Sequence, residues 1–446
     1  MFFVILIGLA LALQQSTLAQ PPNQLQPPKP GQPPPEASAP RTITLAEAMD
    51  LARTNSPQLA SANITALLAH EDRVQAKAAL LPNASWFNQF IYTQPNGTAS
   101  GVFIANDGPH VYNNWATAHG DIFAPGKHAE YQKAIAAEAV ARAKFDIAAR
   151  GLIATVVQNY YGLVSAQRKF ANAQQSLREA VQFTDITQKQ EQGGEVAHSD
   201  VVKAQIQLAQ RQRDTQEAQV AIEKARIGFA VILFPDFRRD YSVIDDLQNT
   251  TPLPAFEQVQ DLAGKNNPDI RAAMATIRQE TLGVSVARSA YLPSLSFDYF
   301  FGINANQYAI YNRNHQNNLG SVAQAQMTIP LWNWGATSSK IRQAQLHLKQ
   351  AKADLSLAQR QLLANLNSFY LEADTASAQL ASLKNSLDLS TESLRLTVLR
   401  YQAGEVTVLE VADAQTTLVQ ARNAYDDGVV RYRLALANLQ TLTGIF

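Results

Sequence analysis

Glu410 and Asp413 are the chain's clearest candidates for functional acidic residues: they stand three apart in a helical segment, so their carboxylates share one face. On its own such a pair is a solvated helix face. Other chemistry is thinly represented. The seven histidines are scattered, His70-Glu71 lacks a second histidine one turn on, and there is no P-loop, G-x-S-x-G or dinucleotide fingerprint. The sequence therefore does not read as an enzyme, and no cofactor is expected. Cysteine is absent, which excludes thiol catalysis, disulfides and lipid attachment at an N-terminal cysteine. Four methionines and no ligand cluster give no support for a metal site. A formal net charge of zero argues against a nucleic-acid partner held through phosphates.

The acidic pair follows a glycine turn, and that turn occurs twice because the chain is a tandem duplication. ARTNSPQLASA from Ala52 matches AGKNNPDIRAA from Ala263, so Pro57 corresponds to Pro268. In the same phase Leu81-Pro82-Asn83-Ala84-Ser85-Trp86 meets Leu292-Pro293-Ser294-Leu295-Ser296-Phe297. Further on, Gly194-Glu195-Val196 meets Gly404-Glu405-Val406. A period of about 210 residues is too long for a solenoid unit and marks a doubled domain. The apolar run FFVILIGLALAL, residues 2–13, is too short to span a bilayer and suits a signal peptide over 1–19. A proline-rich, extended arm covers 20–41, the first repeat 42–233, a linker 234–255 and the second repeat 256–446.

Each repeat reads as helix, two strands, long helix, tight turn, helix. The expected helices are Leu45 to Leu81, Lys127 to Gln192, Ser199 to Leu233, Phe256 to Tyr291, Ala336 to Gln402 and Thr407 to Leu442. Leu362, Leu366, Phe369, Ala373, Ala376, Leu380, Leu383 and Leu387 keep a 4,3 spacing, as do Val411, Ala414, Leu418, Ala421 and Tyr425, which is a coiled-coil seam. At about 1.5 Å per residue the helix from Ala336 would run roughly 100 Å. Its return helix is half as long, so the opening and return helices are expected to stack end to end beside it.

Strands are expected at 84–93, 111–123, 295–303 and 322–332, alternating apolar with polar and ending in aromatics such as Trp86, Trp332 and Trp334. A soluble sandwich and a membrane barrel with aromatic girdles both fit this alternation. Four strands cannot close a barrel, for which about eight are needed, so the barrel reading requires an oligomer. The polar stretches 94–109 and 305–318 read as external loops.

The chain resembles the TolC-like outer-membrane efflux proteins, most specifically in TLAEAMDLARTNSPQL from Thr44 and YQAGEVTVLEVADAQTTLVQAR from Tyr401. The resemblance implies a mainly α fold with a β-barrel part: long antiparallel coiled-coil hairpins in two repeats, with four strands per chain completing a 12-stranded barrel in a homotrimer. It places that barrel in outer-membrane lipid and the helical tunnel in the periplasm. It also implies a passive duct for efflux or type I secretion, joined to a periplasmic adaptor and through it to an inner-membrane pump. Gly193, Gly194, Glu195, Val196, Gly404, Glu405 and Val406 become adaptor-docking tips. Glu410 and Asp413 become a constricting acidic ring of six carboxylates, and Asp200 and Tyr401 a latch; Val406 stands where the family's reinforcing arginine commonly is. The linker, with the proline arm, would supply the equatorial belt. The alternative is a soluble periplasmic coiled-coil adaptor or scaffold, which would lack paired strands between helices in both halves.

Overall fold

The computed structural model describes residues 41–94, 110–248 and 252–444. The signal segment, nearly all of the proline arm, residues 95–109 and Phe446 lie outside the described residues. The body from Thr42 onward is mainly helical. Strand β1 (Arg41–Ile43) precedes helix α1 (Leu45–Asn55) and helix α2 (Pro57–Ala78). Strands β2 (Asn83–Tyr92) and β3 (His110–Phe123) lead into helices α3 (Pro125–Gln192) and α4 (His198–Leu233). After β4 (Tyr241–Val243) the same order returns as α5 (Phe256–Asn266), α6 (Pro268–Ser289), β5 (Ser294–Ala305), β6 (Leu319–Thr328), α7 (Ala336–Gln402) and α8 (Val408–Thr443).

Two expected helices are each broken in two. Pro57 has no N–H to give and pushes Ser56 into extended backbone, so α1 stops there. Ser56 then caps α2 by accepting from Leu59 N at 3.3 Å, with Pro57 in the first turn, where its missing donor costs nothing. Asn267 and Pro268 do the same between α5 and α6: Asn267 Oδ1 accepts from the amides of Asp269 and Ile270 at 2.9 and 3.1 Å. The last strand also ends earlier than expected. β6 stops at Thr328, and Trp332 and Trp334 fall in the turn that follows Pro330, where Trp334 and Gly335 both take positive φ.

The stacking of helices is as the lengths require. α2 and α4 pack along α3, α6 and α8 along α7, and α6 and α8 also pack on α3, joining the halves. The seam is small where it is closest: Leu366 and Ala373 pack with Ala435 and Leu439, and Ala376 with Tyr432 and Leu436, all buried. At Gly428 a Cβ would come within 2.5 Å of Leu383 Cδ1. The linker is not a loose connection. β4 joins β1 in a two-stranded sheet, and Tyr241, Val243 and Leu247 enter the main core with Ile43, Tyr160, Phe229 and Leu233. Tyr160 donates to Ile244 O at 2.6 Å, and Arg168 forks onto Asp245 at 2.6 and 2.9 Å while also reaching Asp426 at 3.0 Å. Fusing the linker to the helices in this way needs pairing across some 200 residues of chain, which no local pattern announces.

Nearer the sheet, α2 is tied to α3 by Glu138, which is 6% exposed and meets Arg73 and Arg142 at 2.5 Å and His70 at 3.1 Å. Burial pushes this carboxyl up, but the His70 hydrogen bond and the two guanidiniums outweigh it and hold it below the usual carboxylate range.

The four longer strands form one antiparallel sheet in the order β2-β3-β5-β6, so β3 pairing with β5 joins the halves. The register sorts the side chains. Trp86, Ala116, Phe301 and their row partners Phe90, Ala118, Tyr299, Ala323, Phe297 and Ala325 share an apolar face. Ser85, Thr117, His119, Asp298, Gln324, Ser296 and Gln326 share the other, where His119 meets Asp298 at 2.7 Å.

Candidate functional site

The residues picked out in the sequence gather at the two turns that end the long helices. At the first, Gly193 is still right-handed and Gly194 takes φ 78°; at the second, Ala403 and Gly404 do the same, with φ 78° at Gly404. Glu195 N then returns to Gln190 O at 2.8 Å, and Glu405 N to Arg400 O at 2.9 Å. Both reversals thus need glycine at one position, the left-handed one. Gly193 has no such backbone need.

Val196 and Val406 do not project from the apex. Both are half-buried and pack into one cluster with Phe183 of α3, Ala204 of α4, Leu394 and Tyr401 of α7, and Val408, Val411 and Leu418 of α8. The two turns therefore share a core, and valine at 406 serves it. Gly193, Gly194 and Glu195 remain exposed, as do Gly404 and Glu405, the latter 3.3 Å from Arg400.

Tyr401 and Asp200 are both near this core, but no hydrogen bond joins them within the chain. The Tyr401 hydroxyl donates to Thr187 Oγ1 at 3.4 Å, and Asp200 takes Lys203 at 3.2 Å. Tyr401 is 3% exposed, and its ring meets Phe183 edge-on at 5.0 Å. Burial raises the phenol above its ordinary range, the negative charge of Asp200 adds to this, and the Thr187 hydrogen bond opposes it. Thr187 and Phe183 were not singled out in the sequence. Both read as ordinary positions in a long helix, and only the packing of α7 on α3 gives them a role.

Glu410 and Asp413 are exposed on one face of α8, beside exposed Leu409. Glu410 has a second duty: it accepts from Thr407 N at 3.2 Å and completes a capping box that starts α8. Thr407-x-x-Glu410 is the sequence signature of that box. The first turn has Ala197 in the corresponding place and no side-chain cap. Farther up, Arg422 of α8 grips Glu179 of α3 at 2.9 and 3.3 Å, and Arg211 of α4 donates to Thr416 of α8 at 2.9 Å, so the two hairpins are tied along their length. Among the described residues no group of three His, Cys, Asp or Glu side chains could hold a metal ion.

The model of the family described as "Outer membrane efflux protein" matches the chain twice, over residues 48–233 and 259–445. The alkaline protease secretion protein AprF of Pseudomonas aeruginosa is 22% identical over 419 residues, covering 90% of this chain and 84% of that one. The outer membrane protein TolC of Vibrio cholerae is 23% identical over 415 residues, covering 90% of each. Among solved structures, the Campylobacter jejuni CmeC outer membrane channel superposes with a TM-score of 0.78 at 17% identity, covering 90% of this chain and 85% of that one. VceC of Vibrio cholerae gives 0.78 at 18%, covering 90% and 96%.

Proposed function

Because the chain belongs to the outer membrane efflux protein family, it is a channel of the outer membrane with its helices in the periplasm, and we propose that it works as a homotrimeric duct. One observation carries the trimer: the sheet leaves β2 and β6 as open edges while Trp86, Phe90, Phe297, Tyr299 and Phe301 of its apolar face are exposed. An open edge and a bare apolar face are stable in a bilayer only if the sheet closes on itself, and twelve strands from three chains close it where four cannot. Helix faces argue likewise. α4 exposes Ile206, Val220 and Val231, and α7 exposes Leu357, Leu371 and Leu389, apolar flanks that a neighbouring chain would cover. The two-repeat organisation then gives six quasi-equivalent hairpins around one axis.

In this trimer the exposed face of Glu410 and Asp413 turns to the axis and forms the acidic ring, and the glycine apices with Glu195 and Glu405 receive a periplasmic adaptor that couples the duct to an inner-membrane pump. Relatives with names as different as a protease secretion protein, a pyoverdine export protein and a cobalt-zinc-cadmium resistance protein support a duct whose cargo is chosen by its pump. A carbonate-resistant, heat-modifiable trimer in the outer-membrane fraction is the expected product; a soluble monomer in the periplasm would favour a scaffold instead.

Tyr401 holds the tip shut in this reading more by packing than by its hydroxyl. Tyr401→Phe removes one long hydrogen bond, worth about 1 kcal/mol or less, and is expected to change channel conductance little. Tyr401→Ala removes a buried ring and costs about 3–5 kcal/mol in the shared tip core, so it should open the channel markedly. Equal effects of the two variants in bilayer recordings would place the latch in the hydroxyl.

A further inference from the structure

An apolar band crosses the polar face of the sheet. Phe87 of β2 stacks on Trp115 of β3, with ring centroids 5.1 Å apart, and Trp115 meets Phe300 of β5 edge-on at 6.3 Å, with Val322 next to Phe300 in register on β6. These four share the face that carries Ser85, Thr117, Asp298 and Gln324 and form an apolar band across all four strands.

Beside the band lies a hollow of about 340 Å³ between Trp115, Phe300 and two glycines, Gly302 and Gly320, which are register partners on β5 and β6. This lies at the small end of the roughly 300–1,000 Å³ range of small-molecule pockets. The glycines differ in kind. Gly302 is forced, because a Cβ there would overlap the Asn114 carbonyl oxygen and Trp115 Cα. Gly320 is not forced: a Cβ there would meet nothing within 4 Å, so it is the missing side chain that keeps the hollow open.

Polar groups stand at its margin. Asn304 and Asn318 line the hollow. Asn318 spends its Nδ2 on Ala309 O at 2.8 Å, so its Oδ1 is the acceptor it has left for a ligand's N–H or O–H.

We propose that this hollow is a stacking station for a planar aromatic solute carrying a hydrogen-bond donor, met by cargo as it passes through the barrel. The proposal rests on the trimeric barrel with its polar face inward, which puts three such stations around the lumen. Aromatic faces favour offset or edge-on stacking of another ring. The neutral amide rim adds a donor-acceptor preference without selecting charge. Aliphatic solutes gain no stacking.

The test is current through the full-length channel in a planar bilayer, with L-tryptophan as the probe and L-leucine, equally zwitterionic, as the comparison. L-tryptophan is expected to produce concentration-dependent current blocks and L-leucine none. Trp115→Ala should weaken the tryptophan block about tenfold, and Gly320→Val, which fills the hollow while leaving every ring in place, should weaken it as much. Gln324→Ala, on the same face but away from the hollow, should block like the wild type. Channels that conduct but show equal block by both amino acids, or an undiminished tryptophan block in Gly320→Val, would overturn the station and leave the barrel standing. Failure of the wild-type chain to form any channel would overturn the barrel and the station together.

Discussion

Replacing Glu410 by Gln together with Asp413 by Asn is expected to abolish the channel's preference for cations, taking the K+ to Cl− permeability ratio down roughly three- to tenfold, toward unity. In the proposed trimer six carboxylates would converge on the axis, and the field of such a ring would be only partly screened because the ions would pass within about a Debye length of it. Block by a divalent cation should weaken by about tenfold for the same reason. The substitution is a clean probe, because glutamine at the third position of a capping box still accepts from the Thr407 amide and α8 keeps its start. Selectivity and divalent block indistinguishable from wild type in bilayer recordings would remove the acidic pair from the pore axis and return it to a solvated helix face.

Gly302→Val is expected to stop assembly altogether. A side chain at 302 would lie on the backbone of β3, at Asn114 and Trp115, where no rotamer change can relieve it. The only relief is to part β3 from β5, the ladder that joins the two halves of the sheet. Overpacking that side chains can absorb costs about 1–3 kcal/mol, and a clash with backbone, which they cannot absorb, costs more. The heat-modifiable trimer should fall at least about tenfold in outer-membrane extracts. Gly320→Val, at the register partner of Gly302 in the β5–β6 ladder but facing open space, should assemble normally. Normal assembly of the Gly302 variant would mean that β3 and β5 do not pair in this register.

The elements that position the site were legible because they are long. The helix Ala336–Gln402 is bounded correctly by its heptad spacing and Gly404, and the four longer strands lie within a few residues of where alternation puts them. The breaks at Ser56 and Asn267 were missed although Pro57 and Pro268 were in view as repeat markers. Ala- and Leu-rich periodicity runs on through both, and a proline that ends one helix also starts the next well. β1 and β4 have three residues each, too few to show a period, and they find each other only through the tertiary fold. Glu138 reads as a surface acid on α3 until α2 lays Arg73 and His70 beside it. At the tip, resemblance supplied Tyr401 and Asp200 as partners. The structure gives the hydroxyl to Thr187 and leaves Asp200 to act on the phenol through its charge. Val406 stands where an arginine is common in the family and fills a shared core rather than leaving a gap.

The closed trimeric barrel is tested most directly by disulfide trapping between its edges, and a chain without cysteine offers a clean background. Within one chain β2 and β6 are separated by β3 and β5. At about 4.8 Å per strand spacing they lie roughly 14 Å apart, twice the reach of a disulfide. Any bond between them must therefore join two chains. One cysteine at Ala84 or Asn88 in β2, combined in turn with one at Ser321, Ala323 or Ala325 on the same face of β6, samples the registers. The prediction is a covalent trimer as the largest species on a denaturing gel for at least one pair. Membrane-inserted protein with no β2–β6 disulfide in any pair, or a ladder running past three chains, would contradict the closed trimer.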